Sequence, residues 1–224
     1  MPHTVSGKGS AVSKVVAQIT MSLDGFVTGP DDGPGRGLGV GGERLHYWVF
    51  GGPWSYDEQP KGQATGVDKE LLDEAFATVG AVIGGRGTYE AAGAWGGTNP
   101  WGVPMFVLTH RMQDAPPAES GFRFVSSFDE AIARANESAA DKLVSIMGGA
   151  DVIRQALRHG CVDELTISVA PVILGAGKRL FEGLDQTTAL DQLDVKHSQW
   201  VTHLRYGVGS PTRADDRAPG SPLM

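Results

Sequence analysis

The chain has 224 residues, of which 41% are hydrophobic and 20% charged, a composition that predicts a globular domain with a substantial core. Its net charge of −7 argues against a nucleic-acid partner or a membrane surface, and no apolar run approaches the ~20 residues of a membrane span. A single cysteine, Cys161, excludes an internal disulfide framework and favours a reducing, cytoplasmic location.

Residues 1–13 and 209–224 are polar end segments that we predict to be disordered. In the part of the chain between them, short apolar runs alternate with amphipathic segments. Strands are predicted at residues 15–21, 80–83, 103–109, 122–125, 143–147 and 161–169, with a terminal hairpin at 193–199 and 201–208. Helices are predicted at 43–50, 67–76, 128–138 and 151–159, with a further helix after the glycines at 84–87. This alternation predicts one α/β domain over residues 14–208, with a mostly parallel sheet and an antiparallel C-terminal edge hairpin.

Local signals mark where some of these elements begin. Asp68 is a plausible cap of the helix that opens near residue 67, and Ser127 with Glu130 forms a capping box for the helix 128–138. Residues 29–42 are rich in glycine and predict a long loop. Loops of this length are usually functional lids or disordered segments.

A glycine pair, Gly148-Gly149, lies between the predicted strand 143–147 and the following helix. The free amides and the positive end of the helix dipole, around Ala150 and Asp151, would favour a phosphate there. A tight strand-to-helix turn without a ligand explains the same residues about equally well. The motif therefore leaves both interpretations open.

A second turn, from Gly84 to Thr88, repeats the pattern of strand, glycines and helix start. Arg86 could pair with a phosphate oxygen and Thr88 could donate a hydrogen bond, and Gly85 allows close approach of the backbone. An N-cap threonine and a solvated arginine are the alternative. Two such turns at the carboxyl ends of strands would converge on one crevice, which favours a ligand with a pyrophosphate, above all a dinucleotide.

Three further residues, Thr109, His110 and Arg111, follow the predicted strand 103–109. Cationic side chains in this position could hold a ribose 2′-phosphate and so select NADP over NAD. A charged loop without a ligand is the alternative.

Six segments of the chain resemble segments of a known protein family: VVAQITMSLDGFVTG, AVIGGRGTYE, VPMFVLTHR, SSFDEAIARA, VSIMGGADVIRQAL and VDELTISVAPVILGAGKRLF. Their order resembles the dihydrofolate reductase-like superfamily. More closely, the chain is similar to the riboflavin-biosynthesis reductase family, the C-terminal reductase domain of the bifunctional deaminase–reductase. The resemblance covers most of residues 14–208 and implies a three-layer fold, an NADPH cofactor and a homodimer.

The same resemblance implies roles for the candidate residues. Arg86 and Thr88 match the cofactor-phosphate turn, and 109–111 match the region of the adenosine 2′-phosphate. Residues 148–151 match the second phosphate turn. The loop after the SLDG segment matches the lid beside the nicotinamide.

The substrate side departs from dihydrofolate reductases, which carry an acidic residue early in the helix after the lid. Here that helix reads ERLHYWVF, and its only acid, Glu43, lies about two positions too early. We therefore do not expect folate reduction, and the candidate proton donors are Asp24, Glu43, His46 or water. Aromatic residues that would face a substrate, or equally serve as core or dimer contacts, are Trp48, Trp54 and Tyr56.

The sequence therefore predicts an enzyme that transfers a hydride from NADPH to a small heterocyclic substrate, of the type found as pyrimidine intermediates of riboflavin synthesis. The alternative is a non-catalytic NADP(H)-binding module on the same fold. The single cysteine excludes the zinc motif of the deaminase half. The remaining histidines, among them His203, lack the spacing of metal ligands, so no metal is predicted.

Overall fold

The computed structural model describes residues 13–58, 60–210 and 212–213. The strands are β1 Val15–Ser22, β2 Phe26–Thr28, β3 Val79–Gly85, β4 Met105–Leu108, β5 Phe122–Val125, β6 Leu143–Met147, β7 Glu164–Ala170, β8 Lys178–Arg179, β9 Gln186–Thr187, β10 Leu190–His197, β11 Thr202–Val208 and β12 Thr212–Arg213. The α-helices are α1 Tyr47–Phe50, α2 Gly66–Thr78, α3 Arg86–Ala91, α4 Phe128–Ala139 and α5 Ala150–Arg158. Short 3-10 helices are Gly42–His46, Gly93–Gly97, Met112–Asp114 and Ala118–Ser120.

Eight strands form the central sheet, in the order β10-β11-β7-β1-β6-β3-β4-β5. The strands from β7 to β5 run parallel to their neighbours, whereas β11 is antiparallel to β7 and β10 is antiparallel to β11. The predicted mostly parallel sheet with an antiparallel edge hairpin is confirmed.

The two faces of the sheet differ in polarity. Helices α4 and α5 cover one face and build an apolar core, in which Ile146, Ile153 and Leu165 are at most 1% exposed. Helices α1 and α2 lie over the other face, on which β1, β7 and β11 place polar side chains. Layers of helices on both faces confirm the predicted three-layer architecture.

Register brings these polar side chains into rows. Thr20 of β1 pairs with Ser168 of β7, and Ser168 pairs in turn with His203 of β11. Because side chains alternate across a strand, the three residues share one face of the sheet. The period-2 pattern of Gln18 and Thr20 in β1 is therefore the sequence signature of a wall that faces away from the apolar core.

Several predicted boundaries need correction. Helix α2 begins at Gly66, with Thr65 as its N-cap, so Asp68 does not cap it; the Asp68 side chain lies buried in the first turn. Residues 161–163 form a turn rather than the start of β7, because Asp163 exchanges hydrogen bonds with the backbone of Val15.

The predicted N-cap is confirmed, because Ser127 Oγ accepts a hydrogen bond from the amide of Glu130 at 3.2 Å. The Glu130 carboxylate accepts from the amide of Ser126 at 3.1 Å instead of that of Ser127, so the reciprocal half of the capping box is shifted by one residue. The ordered fold also extends beyond the predicted bounds of the domain. Ser13 is buried and donates to the carbonyl of Ala140, and Thr212–Arg213 pairs with β9. The other residues of the two predicted disordered segments lie outside the described part of the chain, apart from 209–210. No helix in the described ranges is long and apolar enough to cross a membrane.

Candidate active site

A cavity of about 1620 Å³ opens at the carboxyl ends of the parallel strands. Its wall includes the ends of β3, β4 and β6, at Gly85, Thr109 and Met147, together with the polar face of β1 and β7. This is the crevice at which open α/β sheets bind their ligands. Most of the residues that the sequence singled out line this cavity.

The structure brings the two glycine turns together. An ideal Cβ on Gly149 would lie 3.4 Å from Thr88 Oγ1, and one on Gly148 would lie 3.8 Å from the same atom. Gly148 has φ +54°, a left-handed conformation that favours glycine, and its peptide bond to Gly149 is cis. Thus the predicted convergence of the turns is found, and Thr88 lies between them.

Helix α5 starts at this point, with Gly149 as its N-cap. The first amides of a helix, here those of Ala150 and Asp151, have no partner within the helix. The Asp151 carboxylate pairs with Arg154, whose guanidinium also contacts Glu182 at 2.9 Å. An anion at this helix end would therefore find the charge of Asp151 already compensated.

Arg86 forms ion pairs that the sequence did not predict. Its guanidinium pairs with Glu90 at 2.9 Å and Asp114 at 3.0 Å, and it packs over the ring of Phe124. The predicted alternative of a solvated arginine is wrong, since the side chain is only 17% exposed. One nitrogen, Nη1, is buried and has no hydrogen-bond partner within the described residues.

The segment after β4 forms a turn at the rim of the cavity. Thr109 is buried, and its hydroxyl accepts a hydrogen bond from the amide of Arg111 at 3.0 Å. Arg111 is 54% exposed and contacts Glu90 at 2.8 Å, and His110 is exposed. Thr109 thus shapes the turn, while the side chains of His110 and Arg111 remain accessible to a ligand.

Of the three predicted proton donors, only His46 lines the cavity. Burial lowers the pKa of His46 from 6.5 to about 4, so the imidazole is neutral near pH 7. Glu43 lies beside a separate cavity of about 470 Å³, which Trp54 also lines. Asp24 does not line the large cavity at all, and its carboxylate is held by backbone amides.

The role of Asp24 is to fasten a loop. Its carboxylate accepts hydrogen bonds from the amides of Leu174 and Gly175 at 3.0 and 2.7 Å. A hydrogen bond from Ser22, together with these amides, lowers the pKa of Asp24 from 3.8 to about 2. Such a stable carboxylate is a poor proton donor, so the geometry does not support the predicted catalytic role of Asp24.

The aromatic candidates line the cavity, but the protein already uses their polar atoms. Trp48 Nε1 donates to Thr20 Oγ1 at 3.1 Å, and Trp54 Nε1 donates to the carbonyl of Glu43 at 3.0 Å. The Tyr56 hydroxyl accepts from the amide of Leu38 and donates to a neighbouring carbonyl of the glycine-rich loop. These residues therefore offer ring surface to a ligand, and Tyr56 also holds the loop.

The glycine-rich loop is folded over the cavity. Its two arms are joined by hydrogen bonds from the amide of Gly29 to Leu38 and from the amide of Val40 to Pro30. An ion pair of 2.5 Å between Asp32 and Lys178 ties it to β8. The predicted loop is thus an ordered wall of the cavity.

Sequence reasoning missed a buried chain of polar groups behind the cavity wall. Ser168 Oγ lies 2.8 Å from His203 Nδ1, and His203 Nε2 lies 3.0 Å from Asp68 Oδ1. All three residues are 3% exposed, and Ser168 belongs to the cavity lining. The available signal was the alternation of polar residues in β7 and β11, which marks a polar sheet face. The sequence spacing of Ser168, His203 and Asp68 does not match that of metal ligands.

These features define a dihydrofolate reductase-like α/β fold with a cleft at the carboxyl edge of its sheet. The chain belongs to the RibD C-terminal domain family, whose sequence profile matches residues 13–204. Over 131 residues it is 27% identical to the uncharacterized protein YwjB of Bacillus subtilis strain 168, an alignment that spans 58% of this chain and 75% of YwjB.

Solved structures share the fold. A candidate riboflavin biosynthesis protein of Shewanella sp. PV-4 superposes with a TM-score of 0.64 at 21% identity, over 87% of this chain and 98% of that one. Dihydrofolate reductase of Enterococcus faecalis, solved with NADP(H), gives 0.53 at 16% identity over 87% and 96%. A pyrimidine reductase-like protein of Corynebacterium diphtheriae gives 0.53 at 18% identity over 88% and 92%.

Proposed function

We propose that the protein is an NADPH-dependent reductase that transfers a hydride to a small heterocyclic substrate. The observation that carries this proposal is the cavity itself, in which two converging glycine turns lie beside a polar sheet face. Family membership and the reductase among the structural neighbours support the reaction type. A pyrimidine of the riboflavin-pathway type is the substrate class that we place first.

The residues of the cleft fit a dinucleotide phosphate. Gly149 leaves open the space that a side chain would fill next to Thr88, and the amides of Ala150 and Asp151 begin helix α5 there. The unpartnered Nη1 of Arg86 is a buried donor that a phosphate oxygen would satisfy. We therefore assign the pyrophosphate to these two turns.

The volume of the cavity supports two ligands rather than one. Sites for single drug-sized molecules have volumes of roughly 300–1,000 Å³, whereas this cavity measures about 1620 Å³. With the dinucleotide at the glycine turns, the remaining wall consists of the polar sheet face and the rings of Trp48 and Trp54. The bound cofactor supplies the hydride, and these residues would orient the substrate and exclude water.

NADPH oxidation followed by absorbance tests the reaction, with a panel of aminopyrimidine ribosides and dihydrofolate as substrates. We expect steady turnover of at least one aminopyrimidine and none of dihydrofolate. Tight binding of NADPH without turnover of any member would contradict the reductase and favour the non-catalytic NADP(H)-binding module.

We also expect a preference for NADPH over NADH that depends on Arg111. Removal of one charge-assisted phosphate contact costs about 1.5–3 kcal/mol, which is roughly a tenfold or larger loss of affinity. The competing ion pair of Arg111 with Glu90 is exposed and therefore weak. Calorimetric titration of Arg111→Ala should show this loss for NADPH alone, with Arg123→Ala, outside the cavity lining, as the control. If Arg111→Ala weakens the binding of NADPH and NADH equally, Arg111 does not contact the 2′-phosphate.

We further propose that the protein is a homodimer. Edge strand β10 exposes Leu193 (52%) and Val195 (45%), and an uncovered apolar edge strand normally finds a partner. Light scattering at micromolar concentration should give about twice the chain mass of 23.6 kDa. A stable monomer mass would contradict the proposal.

A further inference from the structure

A hydrogen-bonded chain connects the cavity to a buried carboxylate. Ser168, on the cavity wall, contacts His203 Nδ1 at 2.8 Å, and His203 Nε2 contacts Asp68 at 3.0 Å. The three side chains come from β7, β11 and helix α2. Replacement of a buried ionic or polar pair by apolar residues is often neutral or stabilising, so stability alone does not explain such a group beside a cavity.

The surroundings of His203 set the direction of its hydrogen bonds. Burial lowers the pKa of His203, while the nearby Asp68 raises it and Lys196, its register partner on β10, lowers it. The ring of Trp48 packs edge-to-face against the imidazole at a centroid distance of 5.0 Å. In the neutral imidazole, Nε2–H donates to Asp68, and Nδ1 accepts the proton of the Ser168 hydroxyl.

Protonation of His203 reverses one of these bonds. The imidazolium carries a proton on both nitrogens, so Nδ1–H then donates to Ser168 Oγ. The hydroxyl proton of Ser168 is released from His203 and turns toward the cavity. Thr20, the cross-strand partner of Ser168, accepts a hydrogen bond from Trp48 Nε1. Of these two hydroxyls, that of Ser168 is therefore the one coupled to a titratable group.

We propose that Ser168, His203 and Asp68 form the proton relay of the reductase, with Ser168 as the catalytic residue that meets the substrate and the other two acting through it. This inference rests on the proposed function. Asp24 and Glu43 lie outside the large cavity and so cannot donate a proton to a substrate there. The relay assigns this role to Ser168.

Each turnover adds one hydride and one proton to the substrate. The carbon of a substrate C=N or C=O bond receives a hydride from NADPH, which becomes NADP⁺, and the bond loses its π pair to the nitrogen or oxygen. That atom takes the hydroxyl proton of Ser168, and Ser168 Oγ takes the Nδ1 proton of the His203 imidazolium. His203 becomes neutral and regains a proton from water through Ser168 after the product leaves.

NMR of the full-length protein with ¹⁵N-labelled histidine tests the relay without cofactor or substrate. We expect His203 at neutral pH to be the Nε2–H tautomer, with an Nδ1 signal that moves in Ser168→Ala. The matched control Ser120→Ala removes a buried hydroxyl elsewhere, next to β5, and should leave that signal in place. A neutral His203 that carries its proton on Nδ1 instead of Nε2, or an Nδ1 signal unmoved in Ser168→Ala, would overturn the proposal.

Kinetics with NADPH and the best aminopyrimidine of the panel form the second arm. A general acid contributes about 10²–10⁴-fold to a rate, so Ser168→Ala should lower kcat about a hundredfold or more while KM changes little. Ser168→Thr, which keeps the hydroxyl, should restore most of the rate. The kcat/KM of the native enzyme should fall with rising pH as His203 loses its proton, and His203→Gln should abolish this dependence.

NADPH binding, followed by fluorescence, verifies that each variant is folded and loaded. A Ser168→Ala enzyme that retains the native rate and pH profile would overturn the relay while the reductase stands. Failure of the native protein to turn over any member of the panel would instead contradict the proposed function, and the NMR arm would still decide whether His203 and Ser168 are coupled.

Discussion

Gly149→Ala is expected to abolish most of the stabilisation that NADPH gives while leaving the melting temperature of the ligand-free protein nearly unchanged. Gly149 has an ordinary φ of −73°, and a Cβ there would make only a 3.4 Å contact with Thr88 Oγ1. A methyl group in this position would, however, occupy the space of the phosphate. At a hundredfold excess over Kd a ligand stabilises by about 2.7 kcal/mol, and a hundredfold weaker affinity reduces this to about 0.4 kcal/mol.

Gly148→Ala provides the contrast for this experiment. Gly148 has φ +54°, and a left-handed conformation costs a residue with a side chain roughly 1–2 kcal/mol. This variant should melt lower even without ligand. Thermal melts of both variants with and without NADPH separate the two effects. If Gly149→Ala keeps the full NADPH shift, the phosphate is bound elsewhere; if its ligand-free form melts much lower, the glycine serves the turn alone.

The sheet and its helices could be predicted because their signals are local. Strand β5 was predicted with its observed bounds, and Ser127 was identified as the N-cap of α4 from the local sequence alone. The start of β7 was placed too early because the turn at Asp163 depends on a contact with Val15, which is distant in sequence. Short strands such as β8 and β9 carry too few residues for a periodic pattern.

The cofactor side of the cavity could be predicted for a similar reason. Each glycine turn is a continuous segment between a strand and a helix, and parallel strands bring such turns to one edge. The pairing of Arg86 with Asp114 could not be read from the sequence, because 28 residues separate them. A local pattern thus identifies the turn but not the partners of its side chains.

The substrate side was predicted less well, since its polar groups meet only through the fold. Asp68 and His203 are 135 residues apart, and Ser168 lies on a third element. Viewed locally, Asp68 resembles a helix cap and His203 an isolated histidine. Asp24, which does resemble a catalytic acid locally, instead binds backbone amides 150 residues further along.

The stability of the protein is expected to fall steeply as the pH drops from about 6.5 to about 4, chiefly because of His46. Burial holds its folded-state pKa near 4, so the folded protein excludes a proton that the unfolded chain binds below 6.5. The lowered pKa of His203 acts in the same direction. A pKa shift of this size corresponds to about 3 kcal/mol in the free energy of unfolding. This contribution is fully present above pH 6.5 and is lost by pH 4.

Urea denaturation at several pH values between 7.5 and 4 measures this loss. His46→Leu should flatten the dependence by most of that amount, whereas His197→Asn, at an exposed site on β10, should not. Asp24 contributes in a different window, because its lowered pKa supplies stability above pH 3.8 that is lost only as the pH falls toward 2. A native protein equally stable at pH 7.5 and pH 4.5 would mean that His46 takes up its proton in the folded state, and the cavity beside it would then admit water freely.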